Sequence, residues 1–128
     1  MITRHQLREE VVKLLYNVEF MNISIIEAKD TLENVDKEAF DLASKVLVKQ
    51  AEIDGIIEKN LVNYTLKRLN AVDRAIIRLA VYELLEKQTP SNIVINEAIE
   101  LTKQYTDLGD KKAVRFNNKL LDNINKAL

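Results

Sequence analysis

The 128-residue chain has no cysteine and no tryptophan, one histidine, one proline and two glycines. Without cysteine there are no disulfides, no thiol nucleophile and no thiolate zinc site. A lone histidine, His5, offers no partner for a metal cluster or a histidine-based relay. The two glycines, Gly55 and Gly109, stand alone, so no glycine-rich loop exists to cradle a phosphate. Glu97 and Glu100 are three apart on one helical flank and read as a solvated or ion-paired face. Together these absences argue against an enzyme and against any cofactor. No run fits a signal peptide or a membrane span, which makes the cytoplasm the expected location. Net charge is −1, so nucleic-acid binding would have to come from local clusters of cations.

What is present is helix-forming material. The chain is 47% hydrophobic and 30% charged, with few breakers, and its length suits a single all-α domain with a substantial core. The most telling stretch is Leu66–Leu85, LKRLNAVDRAIIRLAVYELL. As a helix from about Ala71 it is apolar on every side, which marks a buried central post. Asp73, Arg74, Arg78 and Glu83 interrupt it too often for a membrane span. A guanidinium at Arg78, midway along this post, needs a carboxylate or several carbonyls, and a nearby glutamate, Glu97 first, is the expected partner.

Periodicity organises the rest. A first helix over about Thr3–Met21 carries Leu7, Val11, Leu14, Leu15 and Val18 on one face. Val12, Tyr16 and Phe20 form a second strip on roughly the opposite side. Ser24 with Glu27 reads as a capping box. Asp36 opens a helix bearing Phe40, Ala43, Leu47 and Ala51, and the pattern runs on to Ile56, Ile57, Leu61 and Val62. Gly55 predicts a kink or a fresh start. Asn70 with Asp73 suggests another capping box. Thr89-Pro90-Ser91 separates the post from a helix with Val94, Ala98, Leu101, Thr102 and Tyr105. Gly109 ends that one. A last helix from about Asp110 would bury Ala113, Asn117, Leu120, Leu121, Ile124 and Leu128, with Asn117 needing a hydrogen-bond partner or else staying at the edge of the arc.

Two groups of cations remain. Arg4 and Arg8, with His5 between them, lie at the start of the first helix. On the last helix Arg115, Lys119 and Lys126 share a stripe, with Lys111 and Lys112 at its head and Phe116 at the edge of the apolar arc. An aromatic ring flanked by cations suits single-stranded RNA, which stacks its bases and presents its phosphates.

The segments REEVVKLLYNVEF, RLNAVDRAIIRLAVYELL, INEAIELTKQY and RFNNKLLDNI resemble, in order and spacing, the NusB family of bacterial transcription antitermination factors. The resemblance spans essentially the whole chain. It implies about seven helices in two small, roughly perpendicular bundles, residues 1–62 and 63–128. It implies binding of boxA-like single-stranded RNA through Arg4, His5, Arg8, Lys112, Arg115 and Phe116. It also implies pairing with a small-subunit ribosomal protein, NusE in this role, through Tyr16 and Asp73. The pair would join the RNA polymerase antitermination complex on ribosomal RNA operons. The chain departs from the family's dense arginine opening with Arg4-His5-Gln6-Leu7-Arg8. It also departs from the usual KFVNGVLD with RFNNKLLD, where Lys119 restores a positive charge. Two other readings are a protein–protein scaffold, as monomer or homodimer, and a module like the N-terminal part of ribosomal RNA methyltransferases.

Overall fold

The structure is a computed structural model that describes residues 2–128. These form seven α-helices: α1 (Arg4–Met21), α2 (Ile25–Asp30), α3 (Lys37–Val48), α4 (Gln50–Lys59), α5 (Ala71–Glu86), α6 (Ser91–Tyr105) and α7 (Lys112–Ala127), with a 3-10 turn at Leu66–Arg68. No described residue lies in a strand, and no helix is long and apolar enough to cross a membrane.

Local chemistry starts and stops most of these helices. Thr3 and Gln6 form a reciprocal capping box on α1, and Ser24 and Glu27 form the expected one on α2. Asp36 caps α3 by accepting from the Glu38 N–H. Asn70 caps α5 through Val72 N, but the box is not closed. Asp73, expected to close it, instead accepts from Thr106 and Asn117. Left-handed residues end α1 at Asn22 and α5 at Lys87.

The break expected at Gly55 falls earlier, at Lys49 (φ −96°, ψ 9°), and Gly55 sits inside α4. That break resets the helical phase. The buried face of α3 is Ala39, Ala43 and Val46, and that of α4 is Ile53 and Ile57. Phe40, Leu47 and Ile56 are half-buried, while Ala51 and Val62 are exposed, contrary to the continuous stripe expected. At the far end Leu128 is also exposed, because it lies beyond the last turn of α7.

α5 is the post. Every residue from Ala75 to Tyr82 is buried, and it packs against α1, α6, α7 and α4, while α1 also packs on α3 and α6 on α7. One continuous apolar cluster runs through all seven helices. Burying each large aliphatic side chain in it contributes about 1.5–3 kcal/mol before entropy is charged against it.

Arg78 is buried on α5, as expected, but its partner is not Glu97. Its guanidinium donates to both carboxylate oxygens of Asp54, at 2.8 and 3.0 Å, and to Glu19 at 2.6 Å. Glu97 sits on α6 and faces the start of α1, where it meets His5. The asparagine of the α7 core arc found what it required: Asn117 Nδ2 donates to Asp73 Oδ1 and Thr102 Oγ1, both at 3.1 Å. Among the described residues no buried side-chain polar atom lacks a partner.

Candidate nucleic-acid interface

The structure divides the two groups of cations by what already holds them. At the start of α1, Arg4 is paired with Glu38 of α3. His5 Nδ1 meets Glu97 and its Nε2 meets Gln104, each at 3.0 Å. The bond to Glu97, then that to Gln104, raises the His5 pKa above its ordinary value against a smaller effect of burial. Arg8 differs most from the open cation expected of it. It is 4% exposed, and its Nε and Nη2 reach the two carboxylate oxygens of Glu83 at 3.0 and 2.8 Å. Every cation expected at this end is therefore at least partly neutralised within the fold.

The α7 group is different. Lys112, Arg115 and Lys119 are exposed, and among the described residues no carboxylate lies within ion-pair distance of them. Arg115 Nη2 donates only to the Asp110 carbonyl. Phe116 is 40% exposed beside them, its ring against that of Tyr64 with centroids 5.7 Å apart. The sequence reading passed over Tyr64 and Arg68. Their signal was a tyrosine four residues before an arginine in the connector over residues 61–69, which carries a further lysine at Lys67.

The two groups sit at opposite ends of α5. Arg8 binds Glu83 near its C-terminal end, whereas Asn117 of α7 binds Asp73 in its first turn. Ten residues of helix separate these anchors by about 15 Å along the axis.

Tyr16 and Asp73, expected to face the same protein partner, line different recesses of the surface. Tyr16 stacks on Phe20 (centroids 5.3 Å, planes 10° apart) and lines a small apolar recess of about 150 Å³ with Val12, Leu32, Val72 and Tyr105. Asp73 follows Val72, and its partner Thr106 follows Tyr105. Phe20 (68% exposed) and Met21 extend this apolar surface into solvent. Asp73 is half-buried and its Oδ1 is already taken by Thr106 and Asn117. It therefore ties α5, α6 and α7 together beneath both candidate surfaces. Beside it, Glu9 accepts from Tyr105 and Gln104. Burial pushes the Glu9 pKa up, but these bonds outweigh it and hold the carboxylate below its usual range. Burial and the same bond push the Tyr105 phenol up to about 12. Among the described residues there is no cluster of three or more potential metal ligands.

Known proteins share this fold. The NusB family model matches residues 5–126. The transcription antitermination protein NusB of Bacillus subtilis is 39% identical over 94% of this chain and 93% of its own length. The fold matches T. maritima NusB with a TM-score of 0.82 and 35% identity, over 98% of this chain and 92% of that one. It also matches a chain of the crystal structure of antitermination factors NusB and NusE in complex with dsRNA (TM-score 0.77, 28% identity, covering 99% and 100%). With the match running from the first turn of α1 to the end of α7, the chain belongs to the NusB family.

Proposed function

We propose that this protein is a transcription antitermination factor that binds boxA-like single-stranded RNA together with a NusE-type small-subunit ribosomal protein. It acts by recognition and needs no catalysis. The loaded complex then makes RNA polymerase resist termination, notably in ribosomal RNA operons, which places the protein in the cytoplasm. The observation that carries this reading is the row of uncompensated cations beside Phe116 on α7, in a chain of this family. Such a row attracts phosphates without first breaking internal ion pairs, whereas Arg4 and Arg8 would have to leave Glu38 and Glu83. RNA contact is therefore assigned first to Lys112, Arg115, Phe116 and Lys119. Arg4 and His5 are assigned a second contact, toward the other end of α5, and Arg8 acts by fixing α1 on α5. The apolar surface around Tyr16 and Phe20, with Asp73 behind it, is assigned to the ribosomal protein.

Two weak sites on one body reinforce each other when both partners are linked, because each raises the local concentration of the other. The test is fluorescence anisotropy of a labelled boxA-like RNA, single-stranded or as a duplex, with and without the ribosomal protein, at two salt concentrations. Salt-sensitive binding of the single strand that tightens with the ribosomal protein supports the proposal. Preference for the duplex would overturn the single-strand assignment, and no RNA binding at low salt in any arm would overturn the function.

A further inference from the structure

Between the Leu66–Arg68 turn and the start of α7 lies a cleft of about 530 Å³, lined among others by Tyr64, Arg68, Asn70, Asp73, Lys112 and Phe116. We propose that this cleft is a seat for a single unpaired nucleobase of the bound RNA, with Tyr64 and Phe116 as its aromatic wall and Arg68 and Lys112 as its phosphate-facing rim. The inference rests on the RNA-binding reading above and extends it to residues outside α1 and α7.

Four observations carry it. The two rings touch each other at 5.7 Å and 56°, too close to admit a base between them, yet each is 40% exposed. The exposed part of each ring is therefore open to a base at the mouth of the cleft, beside the Arg68 guanidinium that lies over Tyr64. The wall is also fixed in advance. Tyr64 Oη donates to the Arg68 carbonyl at 3.1 Å, and the Arg68 guanidinium lies over the Tyr64 ring at 5.4 Å. Behind them, Arg74 donates to the carbonyls of Leu66, Lys67 and Leu69 and is itself held by Glu19, while Leu66 and Leu69 are anchored in the core. A site held this way loses little entropy on binding.

The floor supplies polar groups of both kinds. Asn70 uses its Oδ1 on the α5 cap, so its amide N–H groups remain as donors. Asp73 spends Oδ1 on Thr106 and Asn117 and keeps Oδ2 as an acceptor. One donor and one acceptor can match the edge of any nucleobase, so the cleft holds a base in place without naming it. The rim settles the ligand class. Neither Arg68 nor Lys112 has a carboxylate partner among the described residues, and the cations of α7 continue the line. Planar groups spaced along a polyanion are the ligand that a ring wall edged with cations fits.

The experiment uses the full chain and a boxA-like single-stranded RNA carrying 2-aminopurine at one position at a time. Binding is followed by anisotropy and base environment by 2-aminopurine emission. One position should be quenched on binding, and that quenching should vanish in Tyr64→Leu and Phe116→Leu but persist in Lys49→Ala, whose exposed pair with Glu86 lies outside the RNA surface. An abasic nucleotide at the same position should weaken binding roughly fivefold to a hundredfold, the worth of one stacked base. That loss should largely disappear when Tyr64→Leu is tested against the same pair of RNAs. If the RNA binds but no position depends on Tyr64, the cleft is not a base seat, although the function stands. Absence of binding at every position would instead remove the reading on which the cleft depends.

Discussion

Arg78 of α5 grips Asp54 of α4 side-on, Nε and Nη2 each meeting one carboxylate oxygen, across 24 residues of sequence. The third arm reaches Glu19 of α1. Burial works to lower the Arg78 pKa, but these two carboxylates outweigh it and raise it. The pairing therefore locks α4 and α1 onto the post at a point where the surrounding side chains are apolar. Removing one anion leaves a buried cation under-compensated. Asp54→Ala should destabilise the fold by about 2–4 kcal/mol, given that breaking a buried pair costs about 3–5 kcal/mol and that Glu19 remains. Lys49→Ala removes an exposed, solvent-screened pair with Glu86 and should cost far less. Urea midpoints of the two variants, compared with the parent, check the difference.

Gly55 lies inside α4 on its exposed side, and a Cβ built there would meet nothing within 4 Å. Gly55→Ala should therefore stabilise the protein by up to about 1 kcal/mol, through a lower backbone entropy in the unfolded chain. Gly109 is the contrast. Its φ of +91° is one that L side chains rarely adopt, so Gly109→Ala should destabilise despite equally open space. Thermal melts of the two variants should move in opposite directions.

His5 and Glu19 give stability opposite dependences on pH. The folded pKa of His5 is raised, chiefly by its bond to Glu97. Its contribution is complete below the unfolded value of about 6.5 and is lost as pH rises through the folded value. Burial pushes the Glu19 pKa up, but Arg74 and Arg78 outweigh it and lower it. Its contribution is present above the unfolded carboxylate value and is lost as pH falls through the folded one. Stability measured by urea unfolding should thus decline somewhat on the alkaline side of 6.5, and His5→Gln should flatten that decline while leaving in place the part of the acid limb that rests on Glu19.

The charge accounting also predicts salt behaviour. Each of Lys112→Ala and Lys119→Ala should lower the slope of log K against log salt by about 0.7, the value for one phosphate contact on a single strand. Arg4→Ala should change it less, because Glu38 already compensates that charge. Equal effects from all three would mean that the Arg4–Glu38 pair opens when RNA binds. Anisotropy titrations over a range of potassium chloride decide it.

The helices were legible because their periodicity and caps are local, and the α5 post stood out because its apolar residues point to every side and its few charges are not gathered on one face. The need of Arg78 and Asn117 for partners was legible as well. The partners themselves were not always, since Asp54 and Glu19 are brought to Arg78 only by tertiary packing. Arg4 and Arg8 look alike in sequence, one turn apart. Yet Arg8 shares a stripe at four-residue spacing with Val12, Tyr16 and Phe20, and that stripe emerges gradually from cover. Arg8 and Val12 are buried, Tyr16 is half-buried and Phe20 is exposed. Position on that stripe was the available sign that Arg8 would be covered. The break at Lys49 has no such sign, because no glycine, proline or capping side chain marks it.

The same stripe yields the prediction for the protein-facing surface. Phe20 is 68% exposed and its main contact is the stacked ring of Tyr16, so Phe20→Ser should change stability by no more than about 0.5 kcal/mol. If the ribosomal protein covers this surface, the exposed ring becomes a buried anchor in the complex. Truncating such an anchor costs about 1–2 kcal/mol, or roughly fivefold to thirtyfold in affinity. Titration calorimetry of the ribosomal protein into Phe20→Ser measures that loss directly. RNA binding by the variant alone should match the parent, since Phe20 is on α1 and the uncompensated cations are on α7. Undiminished affinity for the ribosomal protein would move its contact away from the Tyr16–Phe20 stack.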